Sequence, residues 1–171
     1  MSERERFERM VLPHVDAAYN LARWLTRNDH DADDVLQDAM LRAYRFFPAL
    51  RGEPRPWLLA IVRNACWSWL QANRPAELDS SDDAASDAPG PEALAAREFD
   101  RAALNQAIAA LPVPFREALV LRELEDLSYK EIARIAGVPI GTVMSRLARA
   151  RRLLAEALRP SAAAPRLRLH K

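Results

Sequence analysis

Glycine is scarce in this chain: its 171 residues include four glycines against twelve prolines, with Ala, Leu and Arg abundant. So little glycine disfavours the tight-turned hairpins of a sheet protein, and the prolines suit helix starts and stops, so helices punctuated by proline are expected. Cysteine is limited to Cys66, which excludes an internal disulfide and any cysteine-rich metal site. The histidines, His14, His30 and His170, are scattered. No nucleophile–base set, phosphate loop or metal cluster is apparent, so the chain is not expected to be an enzyme and no cofactor or metal is implied. No apolar run is long enough to span a bilayer, and MSERERFERM lacks the apolar stretch of a signal peptide. A cytoplasmic protein without membrane insertion is expected.

The net charge of +1 conceals a segregation along the chain. Residues 1–75 carry 11 basic and 10 acidic side chains, residues 76–98 carry 1 and 7, and residues 99–171 carry 13 and 7. A basic C-terminal third behind an acidic connector points to a polyanionic partner for that third. The connector is rich in Ser, Asp, Ala and Pro and shows no periodic apolar face before Ala93. Fully extended, some twenty residues reach roughly 70 Å, enough for two domains to engage separate sites.

The first domain, 1–75, reads as helical throughout. From Phe7 to about Thr26, apolar residues recur at spacings of three and four, from Met10 and Val11 to Leu25. Asn28-Asp29-His30-Asp31 breaks that pattern and supplies a cap. In the next helix Val35, Leu36, Ala39, Met40 and Ala43 point inward. Its acids Asp31, Asp33 and Asp34 lie in the first turn, where the helix dipole favours them. Pro56 fits the first position of a further helix running to about Ala72. There Trp57, Leu58, Ile61, Val62, Ala65 and Trp69 share one arc, which makes Trp69 a core residue. Arg63, Asn64, Trp67, Gln71 and Arg74 share the other. A tryptophan beside basic and amide groups suits single-stranded nucleic acid, and equally suits packing of Trp67 under the connector or another helix.

In the second domain, 99–159, Phe99 to Leu111 and Phe115 to Leu124 are read as helices, separated by Pro112 and Pro114. Ser128-Tyr129-Lys130-Glu131 then has the spacing of a capping box. An apolar stripe of Ile132, Ala133, Ile135 and Ala136 follows, and Gly137 ends the helix. A second helix opens near Ile140 to Thr142 and runs to about Leu158, completing a helix-turn-helix. Val143, Leu147, Ala150 and Leu154 form its inner stripe. Thr142, Ser145, Ala148, Arg149 and Arg152 face the other way, flanked by Arg146 and Arg151. Such an arginine-rich face is either a solvated surface or, in this motif, a helix for the major groove. Residues 160–171 read as a basic tail.

Two separated stretches carry a family resemblance. The first is Asp31 to Asp38 with Leu41-Arg42-Ala43-Tyr44, followed by Arg55-Pro56-Trp57-Leu58-Leu59-Ala60-Ile61-Val62-Arg63-Asn64. The second is Leu124 to Ala133, with Gly137 to Val143 and Ser145 to Arg151. Together they resemble the extracytoplasmic-function (group 4) sigma factors of the sigma-70 family. The resemblance implies an all-α chain of two small helical domains on a flexible acidic linker, the C-terminal one a helix-turn-helix domain. It further implies an alternative sigma factor that binds core RNA polymerase and directs initiation at promoter DNA. Asp34, Gln37, Asp38 and Arg42 would dock on the polymerase, with Leu36 and Met40 sharing that face. Arg51, Arg55, Arg63, Asn64 and Trp67 would contact the −10 element; Thr142, Ser145, Arg146, Arg149, Arg151 and Arg152 the −35 element. Met144 stands where relatives often carry a basic residue. An anti-sigma protein is the expected inhibitor, since blocking faces on two tethered domains requires something that holds them together. The alternative is a stand-alone helix-turn-helix regulator with a helical sensing or dimerisation domain.

Overall fold

The computed structural model describes residues 1–78 and 100–159, and the order of its elements follows the caps in the sequence. The acidic connector, apart from its first residues, and the basic tail lie outside the described residues. Helix α1 (Glu3–Val11) starts at Ser2, whose hydroxyl accepts the Glu5 N–H at 3.1 Å. The single helix expected from Phe7 to about Thr26 is broken at Pro13. Leu12–His14 form a 3-10 turn before α2 (Val15–Thr26) begins. A proline ring clashes with the carbonyl four residues earlier and offers no N–H, so the α-helix cannot continue through it. Helix α3 (Asp29–Phe46) opens on Asn28, which accepts the Asp31 N–H at 3.0 Å. In α4 (Pro54–Asn73) the first position belongs to Pro54 rather than Pro56.

Helices α2, α3 and α4 pack on one another around Leu21, Leu25, Val35, Ala39, Leu58, Leu59, Val62 and Leu70. The inward stripe of α4 is displaced from the arc read in the sequence. Leu58, Leu59, Val62, Ala65, Cys66 and Leu70 are buried, whereas Trp57, Ile61 and Trp69 are half-buried. Leu59, Cys66 and Leu70 widen the apolar face by one residue, and these smaller side chains take its centre. Trp69 is thereby left at the edge, with the Arg74 guanidinium 4.7 Å from its ring centroid.

The second region comprises α5 (Arg101–Ala109), α6 (Val113–Leu119), α7 (Tyr129–Ala136) and α8 (Ile140–Ala157). Helix α6 loosens into a π-turn over Val120–Leu124, where the Glu125 N–H reaches back to the Val120 carbonyl at 3.1 Å. The capping box closes in both directions: the Glu131 N–H donates to Ser128 Oγ and the Ser128 N–H to Glu131 Oε1, each at 3.1 Å. Gly137 ends α7 at φ 68°, left-handed backbone that an L side chain adopts only with strain.

Rather than standing apart, the two regions share one apolar core: α2 packs on α6 and α4 on α7. Arg116 stitches the seam. It is 1% exposed, and its guanidinium donates to the carbonyls of Ala109 (2.7 Å), Leu111 (2.8 Å) and Leu25 (3.3 Å). The Leu25 carbonyl lies in the last turn of α2, where the helix dipole favours a cation. Burial, with the nearby charge of Arg27, lowers the Arg116 pKa to about 10, which leaves it charged at neutral pH.

Two outcomes test this description. Ser128→Ala is expected to cost about 1 kcal/mol in denaturant unfolding, the usual value of an N-cap. Burial, followed by the Glu117 carboxylate, pushes the Cys66 thiol up to about 12. Because thiolate is the reactive species, Cys66 is expected to resist iodoacetamide at pH 8 in the native chain and react promptly in denaturant. Rapid native labelling would contradict the burial.

Candidate protein and nucleic-acid interfaces

The outward face of α3 follows from its period. With Ala32, Val35, Ala39 and Ala43 turned into the core, Asp34, Gln37, Asp38 and Arg42 are all exposed. Asp38 pairs with Arg42 at 3.1 Å and Asp34 lies 3.5 Å from His30, both pairs one turn apart. Leu36 and Met40 are half-buried against the core. Leu41 was missed by the sequence reading, yet it is 74% exposed and lies three residues from Asp38 and four from Gln37. An uncovered leucine among charges is the apolar centre a protein-docking face needs. Tyr44 and Phe46, also exposed, continue the apolar character toward the end of the helix.

The residues assigned to the −10 element divide into two groups. Arg51 and Asn64 are exposed. Arg51 borders a cavity of about 260 Å³ lined also by Arg6, Met10, Phe47, Leu50 and Gly52. Arg55, Arg63 and Trp67 instead meet the second region. The Arg63 guanidinium lies 4.0 Å from the Trp67 ring centroid, and both side chains donate to Glu117 Oε1, Trp67 at 3.2 Å. Arg55 bonds Glu125 Oε2 at 2.8 Å, while Asn20 donates to the other oxygen of that carboxylate, also at 2.8 Å. Of the two readings open for Trp67, packing beneath another helix is therefore the one seen in this conformation.

Glu117 is 1% exposed. Burial pushes its carboxyl above the usual range, while Arg63, Arg146 and the Trp67 N–H pull the other way. Neither Glu117 nor Glu125 was singled out in the sequence. A signal was present for the first: Arg116 and Glu117 interrupt the apolar run from Val113 to Leu121, and charges inside such a run must be paired when buried.

On α8, Val143, Leu147, Ala150 and Leu154 face inward as expected. Ser145 is exposed, with its hydroxyl donating to the Gly141 carbonyl at 3.0 Å; Thr142, Arg146, Arg149 and Arg152 are half-buried. Arg151 departs from its assignment. It is 9% exposed and pairs with Glu123 at 3.2 Å. Lying four residues after Leu147 and three before Leu154, it belongs to the inner stripe, so it braces the domain in place of flanking the arginine face. Met144 and Ile140, 54% and 45% exposed, add an apolar edge to the outer face.

Comparisons with known proteins agree with this layout. Residues 10–75 match the family described as Sigma-70 region 2, and residues 101–154 match Sigma-70, region 4. The RNA polymerase sigma-H factor of Pseudomonas aeruginosa is 34% identical over 92% of this chain and 89% of its own. The ECF RNA polymerase sigma-E factor of Escherichia coli K12 is 36% identical over 76% of this chain and 75% of its own. Among solved structures, the sigma factor RpoE of Bartonella quintana, in complex with the anti-sigma factor NepR, superposes with a TM-score of 0.71 at 26% identity. It covers 92% of this chain and 99% of that one. CnrH in complex with the cytosolic domain of CnrY gives 0.66 at 25% identity, covering 91% and 88%. A stand-alone helix-turn-helix regulator does not account for the match of the first region. No helix among the described residues is long and apolar enough to cross a membrane. The chain belongs to the extracytoplasmic-function group of the sigma-70 family: it is an alternative sigma factor that directs transcription initiation.

Proposed function

We propose how that activity is distributed over the chain. The outer face of α3 docks on core RNA polymerase through Asp34, Gln37, Asp38 and Arg42 around Leu41. The observation that carries this is the pairing of an exposed leucine with exposed charges on one helical face that stays uncovered while the two regions are packed together. The loop at Arg51 and the helix surface of Arg55, Arg63, Asn64 and Trp67 engage the −10 strand, where arginines neutralise phosphates and an indole stacks on a base. The cavity beside Arg51 and Gly52 supports this reading by offering a recess next to that loop. On α8, Thr142, Ser145, Arg146, Arg149 and Arg152 engage the −35 duplex. Since sigma factors RpoE and CnrH are found with anti-sigma partners, an inhibitory protein of that kind is proposed for this chain as well. The phosphodiester chemistry is left to the polymerase, and the cytoplasm is its place of action.

Asp34→Arg combined with Asp38→Arg is expected to change stability by less than about 0.5 kcal/mol, as exposed charges usually do. Co-purification with core polymerase should be lost. A folded double variant that retains core affinity removes α3 as the docking face. With a promoter found by mapping transcription starts after overexpression, Arg149→Ala should cost on the order of 1–3 kcal/mol at one −35 position if it reads a base. Uniform weakening across a saturation library assigns Arg149 to phosphate, and an unchanged library excludes it.

A further inference from the structure

The residues proposed to hold the −10 strand are held, in this conformation, by carboxylates of the same chain. Glu117 accepts from both Arg63 and Trp67, the side chains that would neutralise a phosphate and stack on a base. Glu125 takes Arg55 and Asn20. Both carboxylates come from the second region, Glu117 from α6 and Glu125 from the turn after it. Neither contact is a loose surface pair. The side chains of Glu117, Glu125 and Arg63 are 1%, 7% and 12% exposed. An oligonucleotide phosphate seeks the same donors, because an anionic oxygen at hydrogen-bond distance from a guanidinium describes a carboxylate and a phosphate alike. Arg51, Asn64 and the cavity beside Gly52 stay outside this contact, and so does the exposed face of α3.

We infer that Glu117 and Glu125 act as an internal stand-in for nucleic acid, so that the free chain is self-occluded at the −10 surface and must open before it can bind the strand. Opening exposes Arg55, Arg63 and Trp67, and with them the two carboxylates that held them. The core polymerase face on α3 remains accessible in the closed form, so docking precedes release of the −10 surface. This gives the chain a check of its own, contrary to the expectation that only a second protein holds the two regions together. The inference rests on the −10 assignment of Arg63 and Trp67 made above, and the experiment separates the two.

The test combines binding of a fluorescein-labelled single-stranded oligothymidine with small-angle scattering, on the full chain without polymerase. Glu117→Gln with Glu125→Gln keeps side-chain shape and removes both charges. It is expected to expand the chain and tighten oligothymidine binding about tenfold, the gain for a wild type whose open form is a tenth of the population. Adding Arg63→Ala and Trp67→Ala should abolish that gain. If the charge-neutral variant stays compact and gains no affinity, self-occlusion is overturned while the −10 assignment stands. If it expands without gaining affinity, or its gain survives Arg63→Ala and Trp67→Ala, the −10 assignment fails and the inference with it. Glu125→Gln alone leaves the buried Glu117 pair intact. It supplies the same readouts should the double variant not fold, with a partial gain supporting the inference and an unchanged chain overturning it.

Discussion

Two adjacent charges in the middle of an apolar helix, Arg116 and Glu117, set the relation between the halves of this protein. Arg116 spends its guanidinium on three backbone carbonyls, one of them in the last turn of α2. Glu117 points to the opposite partner class, the cation and indole of α4. Both side chains are 1% exposed, so each depends on its partners: a buried charge or donor left unmatched costs several kcal/mol. The seam is therefore specific. Sliding one region over the other would strand both groups at once.

Specificity of this kind is not the same as strength. Desolvating an ion pair cancels much of its attraction, and an apolar pair of the same volume is often at least as stable. An interface that joins apolar packing of α2 on α6 with buried ion pairs between α4 and α6 can thus be well defined and still open. That combination suits a factor that must span two promoter elements on the polymerase yet remain in one arrangement when free. The faces differ accordingly. On α3 the charged groups pair along the helix and stay in solvent, ready for a partner, whereas Arg55 and Arg63 are already engaged.

Much of the local structure could be read from the sequence because it depends on local chemistry. Asn28, Ser128 and Gly137 cap or end helices through hydrogen bonds and backbone angles a few residues away, and each sits where its residue type predicts. The errors have equally physical origins. Pro13 lay within an apolar period that continued past it, so periodicity alone carried the helix through the break. Trp69 and Arg151 were misplaced by small rotations of their helices, which only the full packing of neighbours determines. The pairing of Arg63 with Glu117 spans 54 positions and that of Arg55 with Glu125 spans 70, and no local pattern encodes either. The family resemblance did supply the candidate interfaces, and the structure added that part of one of them is covered from within.

The most direct measurement of the closed arrangement is a distance between the two regions in solution. Spin labels at Gln71→Cys in α4 and Ala157→Cys in α8 occupy exposed positions, and the buried thiol of Cys66 leaves labelling selective for the new sites. Double electron–electron resonance on the free chain should give one narrow distribution matching the closed form, and addition of core RNA polymerase should replace it with a longer one. A broad distribution in the free chain, or the same narrow one on polymerase, would contradict a closed resting state that opens on the enzyme.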